Sequence, residues 1–307
     1  MKKIFIDGKT GTTGLQIEER LKKRDDITIL SLPEQLRKDT EARREIINSS
    51  DIVFLCLPDA AAIEAVSLIE NSEVTVIDAS TAHRTNPDWA YGFPELAPEF
   101  EEKIRNSTRI ANPGCHASGF IALVYPLIKN GILSPDSLLF AHSITGYSGG
   151  GKKMIAEYED ENVSPLLLAP RQYGISQSHK HLPEMAKICG LDKAPLFSPI
   201  VSNFYSGMEV TVPLFREQLN GSLEDIKKVY KELYSSKILH YTDADEGGFL
   251  SAAAYSGKDS MGVSVYGNEE RIILVARYDN LGKGASGAAV ECMNVKLGCE
   301  KEKTLVL

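Results

Sequence analysis

The stretch Ala111-Asn112-Pro113-Gly114-Cys115-His116-Ala117-Ser118-Gly119 sets one cysteine after a turn-forming Pro-Gly pair and before an apolar run that reads as a helix. Cys115 is therefore expected at a helix N-terminus. There the unpaired backbone N–H groups and the positive end of the helix dipole favour thiolate, the nucleophilic form, over thiol. The competing reading is a small buried hydrophobe, the usual fate of a free cysteine. A second cluster is His179-Lys180-His181-Leu182-Pro183-Glu184. Its two imidazoles, at i and i+2 on an expected extended segment, can face one side. As metal ligands they lack a further cluster at zinc-like spacing, so no metal is expected. A general acid/base role suits them better, because imidazole changes charge near neutral pH. The residues alone leave open which of the two does this.

These groups need elements to position them. Lys3 to Asp7 reads as a buried strand, then comes the loop Gly8-Lys9-Thr10-Gly11-Thr12-Thr13-Gly14, then a helix with Ile17 and Leu21 on one face. In a strand, glycine turn and helix of this kind the first glycine permits the turn, the second admits a pyrophosphate, and the third lets helix and strand pack. The spacing is GxxGxxG, so a plain βα turn is the competing reading. Further strands at Ile27–Leu30, Ile52–Leu57 and Val74–Ile77 alternate with helices near residues 40–47 and 60–69, which implies a doubly wound parallel sheet. An acid at the end of the second strand would hold the ribose hydroxyls of NAD. This chain has Ser31-Leu32-Pro33 there, with Arg37 and Lys38 close behind, so NADP is the expected cofactor. Asp78-Ala79-Ser80-Thr81-Ala82-His83-Arg84 ends the fourth strand. An arginine beside small hydroxyl residues at the carboxyl edge of such a sheet suits a phosphate or carboxylate, which makes Arg84 and Ser80 binding candidates.

Beyond Cys115 the pattern changes. Phe120 to Ile128 is an apolar helix that Pro126 is expected to kink or end. Strand-like runs recur at 138–144, 209–214, 262–266 and 272–278, and the one clear helix among them, from Ser222 to Tyr234, opens with a Ser-x-x-Asp cap. The expected fold class is α/β: a Rossmann-type parallel-sheet domain plus an α+β catalytic domain with a mixed or antiparallel sheet carrying helices on one face. Residues 1–114 form the first, with a small-residue helix in 285–307 returning to it, and residues 115–284 form the second. The open face of the second sheet is a natural surface for a homodimer or homotetramer.

Composition limits the partners. A chain of 307 residues, 43% hydrophobic, is long enough for two cores, and its longest apolar runs are too short to cross a bilayer. A formal net charge of −8 argues against a nucleic-acid backbone as partner. Five cysteines without paired spacing point to free thiols in a reducing cytoplasm.

Taken together, Gly8-x-x-Gly11-x-x-Gly14, Asp78-x-Ser80-x-x-x-Arg84, Tyr91-Gly92-x-Pro94-Glu95-Leu96, Asn112-Pro113-Gly114-Cys115, Ser148-Gly149-Gly150-Gly151-Lys152, His179-Lys180-His181-x-Pro183-Glu184 and Asp279-Asn280-Leu281-x-Lys283-Gly284-Ala285 resemble the N-acetyl-γ-glutamyl-phosphate reductases of arginine biosynthesis. They occur in that family's order from residue 1 to about 295. The length is similar to the family's shorter form. Differences are His116 where the longer form has Tyr, and Lys at 152 and 180 where Arg is common. The resemblance implies an NADP-dependent acyl-phosphate reductase with Cys115 as nucleophile, His181 as proton donor and His179 in contact with substrate. With the residue reading above, the cofactor candidates are Gly8, Thr10, Gly11, Thr12, Thr13, Gly14, Ser31, Arg37 and Ser80, to which the resemblance adds Asn280 and Gly284. To the substrate it assigns Ser80, Arg84, Asn112, Ser148, Gly149, Lys152 and Glu184.

The implied reaction is a reductive acyl transfer. Cys115 attacks the acyl carbon, phosphate leaves toward Arg84 and Ser80, hydride reduces the thioester, and the oxyanion is stabilised by backbone N–H groups and protonated by a histidine, releasing an aldehyde. The alternatives are a sister reductase of aspartyl or carrier-bound aminoadipyl phosphate, a cysteine hydrolase, and a non-enzymatic dinucleotide sensor.

Overall fold

Alternation of apolar residues builds the first sheet. In β1 (Lys2–Asp7) Ile4 and Ile6 join one core while Phe5 joins another on the opposite face, and in β3 (Ile52–Leu55) Ile52 and Phe54 are divided from Val53 and Leu55 in the same way. A strand buried on both faces must be covered by helices on both. With β2 (Ile27–Leu30), β4 (Thr75–Asp78), β5 (Ala90–Tyr91) and β6 (Arg109–Ala111), these strands form an all-parallel sheet in the order β2-β1-β3-β4-β6-β5. Helices α1 (Thr12–Leu21) and α4 (Pro98–Asn106) give Ile17, Leu21 and Ile104 to one face. Helices α2 (Thr40–Asn48) and α3 (Asp59–Ser67) give Ile47, Ala62 and Ala65 to the other. This is the doubly wound arrangement expected from the strand and helix alternation.

A computed structural model describes residues 1–307, which pack as two units: residues 1–113 with 285–305, and residues 114–284 with Val306 and Leu307. The second unit opens with α5 (Cys115–Lys129) and continues through β7 (Phe140–Gly146), α6 (Gly151–Tyr158), β8 (Arg171–Gln172), α7 (Leu182–Cys189), β9 (Leu196–Ser202), β10 (Met208–Phe215), α8 (Leu223–Leu233), β11 (Leu239–Tyr241), β12 (Met261–Gly267) and β13 (Arg271–Tyr278). Its seven strands lie in the order β11-β12-β13-β10-β7-β9-β8. The sheet is mixed, with β7 and β9 parallel, β11 and β12 parallel, and the other pairs antiparallel. Strand β9 is absent from the sequence reading because Pro199 interrupts it. A proline gives no N–H to a ladder, but here its carbonyl still accepts from Tyr173 N–H at 3.0 Å. The capping box at Ser222 and Asp225 opens α8 as expected.

A π-helical turn, Gly282–Ser286, leads into α9 (Gly287–Leu297), whose Ala289, Val290 and Met293 join the core of the first unit beside Ile17.

Pro126 does not end α5, which continues to Lys129. A proline in a helix leaves the carbonyl four residues earlier without its N–H donor. Here that carbonyl belongs to Ala122, and the Tyr234 hydroxyl donates to it at 2.7 Å, while Tyr230 donates to the neighbouring Leu123 carbonyl. Both tyrosines are buried at the α8 end of the unit, where their rings stack. Tyr234→Phe removes the donor and leaves a buried carbonyl unsatisfied, which should cost about 1–3 kcal/mol of stability. Chemical denaturation of the variant measures this, and an unchanged unfolding midpoint would show that the helix tolerates Pro126 by itself.

Candidate active site

In the first unit the glycine loop closes tightly on β3. Gly8 has φ +83°, and a Cβ there would stand 2.3 Å from the Cys56 carbonyl oxygen, so no other residue fits. Gly14 is equally confined, since a Cβ would lie 2.7 Å from the Gly8 oxygen. The loop is pinned by Gly11 N–H to Gly8 O at 2.9 Å, and α1 starts at Thr12 without a side-chain cap. The N–H groups of its first turn, at Thr12, Thr13 and Gly14, are thus the kind of donors that bind pyrophosphate.

Beside the loop lies a cavity of about 580 Å³ lined by Asp7, Gly8, Lys9, Thr10, Leu32, Glu34, Arg37 and Lys38 among others. Three cations face it. Asp7 is buried and pairs with Arg43 through Nη2 at 2.9 Å; burial pushes its carboxyl up, and the Arg43 hydrogen bond and charge oppose that. The Arg37 Nε is buried without a hydrogen-bond partner, which suits an anionic ligand at this place. Of the expected cofactor residues, Gly8, Thr10 and Arg37 line the cavity. Ser31 does not, and is exposed.

The loop after β4 is folded around Asp78, which is fully buried. Its carboxylate accepts from Ser80 N–H at 2.9 Å and Ser80 Oγ–H at 2.7 Å, and meets His83 Nδ1 at 2.7 Å, with the His83 ring stacked 4.0 Å from Trp89. The Ser80 hydroxyl proton is therefore held by Asp78. Any contact of Ser80 with phosphate or cofactor falls to its other groups. Arg84 donates from Nε to Asn112 O and from Nη2 to Ala79 O, both at 2.9 Å. These two carbonyls orient the guanidinium. Asn112 Nδ2 donates to the Ala285 carbonyl at 3.0 Å.

In the second unit Cys115 is the first residue of α5, with Gly114 as N-cap and no side-chain cap. It is half-buried, whereas α5 beyond it is buried on all sides as far as Val124. Three groups fasten this helix start. Glu184 Oε1 accepts from Gly114 N–H at 2.8 Å. Tyr278 donates to the Cys115 carbonyl at 2.5 Å and accepts from Gly119 N–H at 3.0 Å, bridging the first turn. Gly284 packs so closely that a Cβ would lie 3.2 Å from Cys115 Cβ and 3.0 Å from Asp279 O. Glu184, assigned to substrate, is thus buried against the helix start, and Gly284, assigned to cofactor, lies against the cysteine.

Asn280 is also committed. Its Oδ1 accepts from Gly207 N–H at 2.9 Å and its Nδ2 donates to Ser148 Oγ at 3.0 Å, so Asn280, Ser148 and Gly149 form one bracket. Lys152 is exposed in the first turn of α6.

The histidine pair lies on a turn entering α7, not on an extended segment: His181 is the helical N-cap, and Leu182 N–H donates back to His179 O at 3.0 Å. The His181 backbone N–H donates to His179 Nδ1 at 3.2 Å, so that nitrogen carries no proton and His179 is the Nε2–H tautomer. The two rings meet edge-on at 4.7 Å. A third imidazole, His116, stands 5.7 Å from each of them. Sequence reasoning gave His116, Ser143, Tyr173 and Tyr278 no role. Adjacency to Cys115 was a signal for His116, but the others come from distant strands. No three or more His, Cys, Asp or Glu are grouped to hold a metal ion, and no helix is long and apolar enough to cross a membrane.

A parallel sheet with a phosphate-type loop in one unit, and a thiol at a helix start without a side-chain cap in the other, suit an NAD(P)-binding oxidoreductase. The comparisons narrow the class. Residues 9–104 match the model for the semialdehyde dehydrogenase NAD binding domain and residues 115–280 the model for the semialdehyde dehydrogenase dimerisation domain. The aspartate semialdehyde dehydrogenase II of Vibrio cholerae, complexed with ASA, is similar in fold at TM-score 0.72 and 17% identity over 97% of this chain and 98% of that one. That of Candida albicans, with NADP, is similar at TM-score 0.68 and 16% identity over 96% and 98%. The N-acetyl-gamma-glutamyl-phosphate reductases of Brucella ovis and Brucella abortus are each 47% identical over 306 residues, 96% of this chain and 99% of theirs. The chain belongs to the semialdehyde dehydrogenase family, in the group of the N-acetyl-γ-glutamyl-phosphate reductases.

All five cysteines are free. Burial pushes the Cys56 thiol up to about 12, with the Asp78 and Asp7 charges adding to it, and burial raises Cys189 as well. Cys292 is buried against the Gly92 carbonyl. Iodoacetamide should therefore label Cys115 first, as peptide mass spectrometry would read. First labelling at Cys299 or Cys56, the other half-buried thiols, would remove the case for an activated Cys115.

Proposed function

We propose that the protein reduces N-acetyl-γ-glutamyl phosphate to N-acetyl-glutamate 5-semialdehyde and phosphate, with NADPH as cofactor, in arginine biosynthesis. The observation that carries this reading is identity of 47% along nearly the whole chain to reductases of that name, with Cys115 at an uncapped helix start. The Cys115 thiolate attacks the acyl carbon, forming a C–S bond as the C–O bond to phosphate breaks. Phosphate leaves as HPO4²⁻ with the one proton consumed overall, and Arg84 supplies positive charge to it. When bound, the cofactor supplies a hydride to the thioester carbon. Backbone N–H groups at the start of α5 hold the resulting oxyanion. His181 lends it a proton and recovers that proton as the hemithioacetal collapses to aldehyde and thiolate. His181 is assigned this part, and His179 substrate contact, by the resemblance to the reductases. Ser148, Gly149 and Lys152 form the substrate's tail site, with the Lys152 ammonium for its carboxylate.

NADP is favoured over NAD by the Lys9, Arg37 and Lys38 cluster around the nucleotide cavity and by the buried Arg37 Nε, which a 2′-phosphate would satisfy. The free thiols suit a reducing cytoplasm.

Absorbance of NADPH, followed with the aldehyde, phosphate and NADP⁺ in the reverse direction, tests the function. Turnover with this aldehyde but not with aspartate semialdehyde is expected. Cys115→Ser should lose several orders of magnitude in rate while still binding NADPH. Turnover of aspartate semialdehyde alone would move the protein to a sister activity, and equal use of NADH would sink the cofactor assignment.

The protein should also be a homodimer or homotetramer. The face of the second sheet away from α5 and α8 shows Ile144, Ile200, Thr211, Pro213, Phe215 and Ile273 on neighbouring strands, and Phe215 is 63% and Ile273 41% exposed. Light scattering that reads a monomer mass at micromolar concentration would rule this out.

A further inference from the structure

His116 is the second residue of α5 and is buried directly beside the reactive cysteine. Both of its ring nitrogens are engaged, Nδ1 with Ser143 Oγ of β7 at 2.7 Å and Nε2 with the Tyr173 hydroxyl after β8 at 2.6 Å. Two short hydrogen bonds at opposite corners of a ring fix both its tilt and its χ angles. The faces and edges of the ring then serve as a wall. His179 meets it edge-on, with centroids 5.7 Å apart, His181 is tilted at 5.7 Å, and Phe197 of β9 closes the cluster 5.3 Å from His116 and 5.2 Å from His179. Tyr173 also lies 6.0 Å from His179.

We propose that His116 is a positioning residue, clamped between Ser143 and Tyr173, that sets the arrangement of His179 and His181 beside Cys115 by orientation and not by exchanging a proton. This rests on the reading that His181 serves the acyl group on Cys115. Three physical facts support it. Burial, with His179 adding to it, pulls the His116 imidazolium down to about 3, so the ring is neutral across the working range. A helix N-terminus further disfavours a cation at this place. A neutral third imidazole adds no repulsion to a proton on His181, whereas a charged one less than 6 Å away would. The titratable groups facing His116 are Cys115 on its own helix, Tyr173 after β8, and His179 and His181 before α7. Glu184 of α7 and Tyr278 of β13 hold the backbone on either side of Cys115. Burial raises Tyr173, with the Cys115 charge adding to it, so it too stays neutral.

The two roles separate on substitution. Glutamine reaches about as far as Nε2 and offers Tyr173 a hydrogen-bonding amide that never titrates, whereas leucine fills the space and offers none. His116→Leu should lower kcat at least tenfold with KM changed much less, because misplacing a catalytic group by about 1 Å costs up to a hundredfold. His116→Gln should recover most of that kcat with the wild-type pH profile. Tyr173→Phe, which breaks one clamp and keeps the fold, should fall between them. If His116→Gln is as inactive as His116→Leu, or if Tyr173→Phe keeps full kcat, positioning by this clamp is refuted. A readout without substrate separates this from failure of the proposed reaction. Imidazole NMR of the labelled wild-type protein should show one histidine, absent in His116→Gln, that does not titrate between pH 5 and 9. His179 and His181 signals should move in His116→Leu and stay in His116→Gln. Titration of His116 in that range, or unmoved signals in His116→Leu, would overturn the proposal whatever the substrate proves to be.

Discussion

The Cys115 sulfur is only as well placed as the first turn of the helix that carries it. That turn is held from three sides by groups that do not themselves react: a carboxylate on the Gly114 N–H, a tyrosine hydroxyl bridging the Cys115 carbonyl and the Gly119 N–H, and the bare backbone of Gly284 against the cysteine Cβ. Gly119 belongs to the same device, since a Cβ there would come within 2.7 Å of the Tyr278 hydroxyl. Burial of the rest of α5 makes the constraint rigid, and the tyrosines of α8 repair the interruption at Pro126. Much of the second unit can be read as the housing of one helix start.

Charge is distributed with the same economy around it. Glu184 brings a negative charge to the N-terminal end of α5, where it satisfies an N–H and strengthens the helix. The same charge opposes a thiolate, so the N–H groups that remain at the helix start must do more of the stabilising. The imidazoles differ in surroundings: burial pulls the His116 imidazolium down, and His179 has one nitrogen occupied as an acceptor from the His181 N–H. Similar side chains thus acquire different properties from what each is packed against.

The first unit solves a separate problem, bringing backbone close to a large anionic ligand. Gly8 and Gly14 are there because the Cys56 and Gly8 carbonyls leave no room for a Cβ. The loop after β4 is built on a buried carboxylate, which gathers the Ser80 and His83 side chains, and Arg84 donates to the Asn112 and Ala79 carbonyls beside it. Residues that look like ligands in a motif can thus be the supports of the ligand site.

Local pattern by itself determined the parallel sheet, the glycine loop, the start of α5 at Cys115 and the cap of α8, because each depends on residues close in the chain: period-two burial, a turn residue, a hydroxyl three positions from an acid. It also singled out the cysteine and the histidine pair as candidates for the chemistry, since those residue types can carry it. Only the tertiary structure decided that Pro126 stays within its helix, that β9 forms despite Pro199, and that the second sheet is mixed, because the compensating groups come from α8, Tyr173 and distant strands. It alone showed that Glu184 and Asn280 spend their polar groups on the protein itself, and that Ser31 stands outside the cavity beside the glycine loop. Hydrogen-bond partners 70 or more residues apart leave no local mark, so a motif reveals that a residue matters without revealing what it holds.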